Sequence, residues 1–170
     1  ALPISPNERG KGNTAEIHSE LTQIPKQYFE IILQSCLESL NVGPLSGYPM
    51  TDIHISVIGG DYIEDSANDI AYKIAASIAT RDACRKAHPI MLEPVFSVEV
   101  VSPEDYIGDV IADLSSRRGR IEGIQQQQST QAVEAIVPLA QMFGYVTTLR
   151  SITQGRGSYS MKFYGYDIKI

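Results

Sequence analysis

The feature that most restricts the fold of this chain is the order of its hydrophobic periods after residue 94. Residues 95–101 alternate as a strand, Ser102-Pro103-Glu104-Asp105 reads as a capped helix start, and Tyr106, Ile107, Val110, Ile111 and Leu114 continue that helix. Residues 120–124 return to strand, residues 125–128 with Ser129 and Thr130 form a polar hairpin, and residues 131–137 make its partner strand. A further helix after Pro138 is expected to bury Leu139, Met142, Phe143, Val146 and Leu149. Gly155-Arg156-Gly157 then leads into a last strand in which Tyr159, Met161 and Phe163 alternate with Ser160 and Lys162. The order is βαββαβ, two βαβ halves joined by a hairpin. That is the ferredoxin-like arrangement, with both helices on one face of an antiparallel sheet.

The residues before this module follow a different plan, and the boundary falls near Leu92-Glu93-Pro94, giving modules 1–93 and 94–170. Through about Thr22 the chain mixes Pro, Gly, Asn and charge, with one short extended candidate at residues 15–18, and reads as a loosely held lead-in. Pro25 suits a first helical turn, and Phe29, Ile32, Leu33, Cys36, Leu37 and Leu40 follow at helical spacing until Asn41-Val42-Gly43 stops them. Residues 43–49 turn the chain. Ile53, Ile55 and Val57 then alternate with Asp52, His54 and Ser56 as in a half-buried strand. After a polar loop, Ser66 is placed to cap a helix whose apolar stripe is Ile70, Ala71, Ile74, Ala75 and Ile78. The class is α+β.

Composition narrows the function. With 43% hydrophobic and 20% charged residues the 170-residue chain has material for a buried core, which excludes disorder as its main state. No apolar run approaches the ~20 residues of a bilayer span, and the opening residues lack the pattern of a signal peptide. The expectation is a soluble cytoplasmic protein without a membrane partner, and a start at Ala1 reads as a piece cut from something longer. Cys36 and Cys84 lie in separate helical patterns, so neither a disulfide framework nor a zinc knuckle has support. A net charge of −6 argues against a general nucleic-acid coat. The charge is unevenly divided, however: residues 1–94 carry 7 Lys and Arg against 12 Asp and Glu, and residues 95–170 carry 7 against 8.

Few residues carry a chemical signal. Arg9-Gly10-Lys11-Gly12-Asn13-Thr14 superficially resembles a phosphate loop, but the spacing fails because Ser5 stands where the first Gly is needed. Asp52, His54 and Ser56 match a catalytic triad by type. On one strand face they stand ~7 Å apart, too far to hydrogen-bond in a chain without further geometry. His18, His54 and His88 lack ligand spacing with either cysteine, so no metal site is argued. Two features can face phosphate or bases. Arg117, Arg118 and Arg120 lie at one helix-to-strand turn, and Arg150, Gln154 and Arg156 at the equivalent turn of the second half, so the pseudo-repeat is expected to bring them to one edge of the sheet. Equally, arginines at helix C-termini can simply offset the dipole. The acidic loop Gly60, Asp61, Tyr62, Ile63, Glu64 and Asp65 disfavours a phosphate clamp, although Tyr62 can stack on a base.

These residues are arranged as in a known family. Met91-Leu92-Glu93-Pro94, the run from Glu99 through Leu114, Arg117-Arg118-Gly119, Val137-Pro138-Leu139, Met142-Phe143-Gly144-Tyr145, Leu149-Arg150-Ser151 and Thr153-Gln154-Gly155-Arg156-Gly157 closely resemble the C-terminal region of bacterial elongation factor G. The resemblance extends back through Ile24-Pro25-Lys26-Gln27-Tyr28, residues 43–49 and Ala71-Tyr72-Lys73-Ile74-Ala75, and so covers residues 24–166. It implies most of domain IV, a partial βαβ-type module like that of ribosomal-protein S5, followed by the whole of the ferredoxin-like domain V.

By resemblance, the parent is a translocase that uses GTP and magnesium at a domain outside this chain, so the chain itself holds no cofactor and is not an enzyme. The implied partners are the ribosome, at its decoding region and GTPase-associated ribosomal RNA, and the tRNA–mRNA pair, engaged by a monomer. Residues 60–65 map onto the domain IV tip, and the arginine edge onto the RNA-facing side of domain V. Ile63 stands where the family commonly has a histidine, and residues 1–22 are shorter than the family's Gly-rich hairpin. Paralogues acting in ribosome recycling or tetracycline protection are therefore alternatives. A ferredoxin-like small-molecule-binding module is the alternative of another class.

Overall fold

A computed structural model of the chain describes residues 3–127 and 129–169. The chain divides into two compact units, Ala1–Ile90 and Met91–Ile170.

In the first unit, β1 (Ile4–Pro6), β2 (Thr14–Ile17) and β3 (Ile53–Val57) form a sheet in the order β1-β3-β2, with β1 antiparallel and β2 parallel to β3. The opening residues are therefore structural, not a loose lead-in. Ile4, Ala15 and Ile17 pack on the core, and Leu21 is buried. The period-2 signal is hard to see because each strand is only three or four residues long. A 3-10 turn over Lys26–Tyr28 runs into α1 (Phe29–Ser39), which buries Ile32, Ser35 and Cys36. α2 (Asp69–Lys86) packs with it, but not by the expected stripe. Ala76, Thr80 and Cys84 face the core, whereas Ile70, Ile74 and Ile78 are exposed at 71%, 54% and 61%. The cap differs too: Asn68, not Ser66, accepts the Ala71 N–H at 2.9 Å. Ser66 instead donates its hydroxyl to the Ile63 carbonyl.

The second unit is a four-stranded antiparallel sheet in the order β5-β6-β4-β7, built from β4 (Leu92–Pro103), β5 (Arg120–Gln127), β6 (Thr130–Pro138) and β7 (Ser158–Ile168). Together with α3 (Ile107–Ser116) and α4 (Tyr145–Ile152), this is the ferredoxin-like order. Val98, Val100, Val133, Ala135 and Val137 meet Ile107, Val110, Leu114, Tyr145 and Leu149 in one core, so both helices lie on the same sheet face. β4 begins at Leu92, so Glu93 and Pro94 are strand residues of this unit. The hairpin strand runs further than expected, to Gln127, and Gln128 lies outside the described residues.

Three local readings are corrected in this unit. Ser102 caps no helix: it lies in β4, fully buried, with its hydroxyl unpartnered, and a 3-10 turn over Glu104–Tyr106 precedes α3. Phe143 and Val146 are exposed, at 77% and 42%. Gly144, with φ +75°, separates a 3-10 turn (Leu139–Gln141) from α4, so the two segments do not share one helical register. Phe163 is half exposed beside a β-bulge, where it stacks edge-on with Phe96 and Tyr166.

Candidate nucleic-acid interface

The loop from Gly60 to Asp65 is pinned at its base and open at its apex. Ser66 and Ala67 donate their N–H groups to the Ile63 carbonyl at 3.1 and 2.9 Å, which closes a turn just before α2. The Tyr72 hydroxyl donates to the Asp61 carbonyl at 3.1 Å, and the Tyr28 hydroxyl donates to that of Ala67 at 3.3 Å. The two rings pack 4.6 Å apart. Desolvation, then Tyr28, Tyr62 and Asp61, push the Tyr72 hydroxyl above its ordinary pKa, so it stays a donor. Gly60 packs close to Ile24: a Cβ there would come within 2.6 Å of its Cδ1, so a larger residue would have to push the end of that side chain aside. Beyond this base every residue from Asp61 to Ser66 is exposed, Tyr62 at 41% and Ile63 at 65%. Asp61, Glu64 and Asp65 give the apex a negative field. It presents shape, an aromatic face and an apolar side chain, and it repels phosphate.

The six residues expected on one arginine edge do not come together. β5 begins at Arg120, paired with Ile136 and through it level with Ser97, whereas β7 begins at Ser158, paired with Val101. The two turns thus lie toward opposite ends of the sheet, offset by four residues of β4, roughly 13 Å along the strand. The reason is topological. A helix in each half returns antiparallel to its preceding strand, and the two preceding strands, β4 and β6, are themselves antiparallel.

The two ends also differ in what their cations do. Arg117 is only 18% exposed in its side chain. Its Nε donates to Asp113 at 2.8 Å, one amino group to the Gln141 carbonyl at 2.6 Å and the other to Thr148 at 3.0 Å, and the guanidinium sits 5.1 Å from the Tyr145 ring centre. This arginine ties α3 to α4. Arg118 pairs with the buried Glu93 at 2.7 Å, and Arg120 pairs with Glu122. Arg150 and Arg156 are exposed and make no side-chain hydrogen bond or ion pair among the described residues. The partners that withdraw the first group are partly legible in the sequence: Asp113 stands four residues before Arg117, the helical ion-pair spacing.

One backbone device recurs at both ends. Arg118 and Gln154 adopt left-handed conformations, with φ of 61° and 52°, just past α3 and α4. The following glycines return their N–H groups five residues back, Gly119 to Leu114 and Gly155 to Arg150, at 2.9 and 2.8 Å. This is the usual helix-ending motif with a side chain where glycine is preferred.

The remaining signals resolve as internal structure. Gly10 and Gly12, with φ of 80° and 75°, aim their N–H groups at the Asp52 carboxylate, at 3.0 and 2.9 Å. The segment resembling a phosphate loop is a backbone nest filled by the chain's own carboxylate, and it does not fit GTP. His54 and Ser56 do meet, at 3.2 Å, contrary to the spacing argument for a single strand. Glu16 of β2 lies within 3.3 Å of the same imidazole Nε2, and Nδ1 lies 2.8 Å from the Thr14 hydroxyl. A triad needs serine and acid on opposite ring nitrogens, so this is not one. Burial pushes both cysteine thiols up, away from nucleophilic chemistry. Among the described residues no His, Cys, Asp and Glu cluster can hold a metal, and no helix is long and apolar enough to cross a membrane.

Residues 1–88 match the family model of elongation factor G, domain IV, and residues 90–169 match that of the elongation factor G C-terminus. Elongation factor G of Aquifex pyrophilus is 46% identical over 168 residues, covering 98% of this chain and 24% of that protein. A crystal structure from Thermus thermophilus superposes with a TM-score of 0.85 at 35% identity, covering 99% of this chain and 25% of that one. The chain thus spans about a quarter of the length of these relatives. With a domain model matched along each half, the chain belongs to the elongation factor G family.

Proposed function

We propose that this chain is the ribosome-binding arm of a cytoplasmic translational GTPase that promotes GTP-dependent translocation of tRNA and mRNA, with residues 1–90 acting as domain IV and residues 91–170 as domain V. GTP and magnesium act at a domain outside the chain, and this arm performs no bond chemistry. The loop Gly60–Asp65 is the tip directed at the decoding region. The exposed end carrying Arg150, Gln154 and Arg156 is the contact to GTPase-associated ribosomal RNA. Arg117, Arg118 and Arg120 support the fold instead.

The observation that carries the reading is the family match along both halves, joined to an apex that is exposed yet fixed at its base. The test is a ribosome pelleting assay with Arg150→Glu/Arg156→Glu. Binding is expected to fall at least tenfold at physiological salt, and the slope of log affinity against log salt to shrink by about 1 per lost contact. Unchanged binding would overturn the assignment.

A further inference from the structure

We propose that the first unit holds a second RNA contact, a cleft that takes one nucleotide of a single strand, its phosphate seated on Arg81 and Arg85. The cleft lies between the end of α1, the turn at Val42 and Pro44, and the last turns of α2, and measures about 360 Å³. That is within the range of pockets that hold small ligands. Its wall is preformed: Gly43 donates its N–H to the Tyr48 carbonyl at 2.9 Å, and Met50 donates to that of Leu40 at 2.8 Å. A Cβ on Gly43 would come within 2.5 Å of the Tyr48 oxygen, so the turn cannot be filled out.

Charge is what selects the ligand. Arg81 and Arg85 are four residues apart on α2, one turn from each other on the same face, where like charges repel. Neither makes an ion pair or a side-chain hydrogen bond among the described residues. The nearby acid is already engaged: Asp82 pairs with Lys86 at 2.6 Å, and that contact, with a smaller effect of Arg85, holds its carboxyl below the usual range. Two guanidiniums without an ion pair, lining a largely apolar cleft, match a phosphate by their planar forks, while Val42, Pro44 and Met50 offer apolar surface to a base or ribose. RNA is preferred to a free nucleotide as the source because this inference rests on the ribosomal reading above.

The test uses the 170-residue chain labelled with ¹⁵N, titrated with single-stranded tetrauridylate and, separately, with uridine 5′-monophosphate. Expected are saturable amide shifts confined to Ser39, Gly43 and residues 81–86. Affinity for the tetranucleotide should exceed that for the monophosphate and fall at least tenfold in Arg81→Gln/Arg85→Gln, whose folding is checked by its own amide spectrum. Arg150→Gln/Arg156→Gln should leave these shifts unchanged, so that failure here is distinguishable from failure of the ribosomal contact on the second unit. Equal binding of the two ligands would retain the phosphate site but overturn RNA as its ligand. Absence of shifts at these amides, or shifts unaffected by the double variant, would overturn the site itself.

Discussion

Single residues in this chain are best understood by what they touch, and three make measurable predictions. Ser102 has the sequence context of a cap but a buried hydroxyl without a partner. Ser102→Ala should therefore leave the unfolding free energy unchanged or raise it by up to about 1 kcal/mol in urea denaturation, where loss of a true cap would lower it by ~1 kcal/mol. Arg117 spans two helices through three hydrogen bonds and a ring. Arg117→Ala should cost roughly 2–3 kcal/mol by the same measurement, through unpaired buried groups and not through any lost ligand. Asp52 is a pH probe. The Gly10 N–H chiefly, then that of Gly12, the Thr51 hydroxyl and the charge of Arg9, hold its carboxyl below its usual 3.8. A carboxyl depressed by folding stabilises above its unfolded value, and that stability disappears as pH falls through the lower folded one. Asp52→Asn should thus be less stable at neutral pH and converge with the parent once acid has protonated the folded Asp52 carboxyl, in acid titration followed by circular dichroism.

At the scale of elements, α2 shows where periodicity stops being informative. Ile70, Ile74 and Ile78 form a regular stripe, and burial is expected of it because isoleucine outranks alanine in transfer energy. The face that meets α1 carries Ala76, Thr80 and Cys84, small enough for close approach of the helices. Size complementarity overrides hydrophobicity here, and one sequence does not reveal which face has a neighbour. Ile74→Gln/Ile78→Gln should change stability by no more than about 0.5 kcal/mol per site, whereas Ala76→Leu should cost ~1–3 kcal/mol by overpacking. Thermal unfolding separates the two cases. α1, β3 and the four strands of the second unit are legible because long, clean periods meet clear breakers. The exposure of Phe143 has a visible cause: Gly144 interrupts the helix, and a residue before the break cannot inherit the register after it. The arginine edge fails for another reason, since sequence symmetry between halves does not state which end of a sheet each half points toward.

For each whole unit, position in the topology decides what a side chain touches more than residue type does. The same amino acid is internal scaffolding at the α3–β5 turn and free at the α4–β7 turn, although both turns share one backbone motif. The 60–65 loop is legible as a loop, but its anchoring needs the distant segment of Ile24 and Tyr28 to be folded against it and against Tyr72 of α2. The opposed placement of the two arginine groups has a consequence for assembly. On the proposed reading, a polyanion brought to the second unit finds Arg117, Arg118 and Arg120 already engaged by Asp113, Glu93 and Glu122 at one pole, and Arg150 and Arg156 without an ion pair among the described residues at the other. On that reading the unit is keyed like a plug, with one orientation favoured over its reverse.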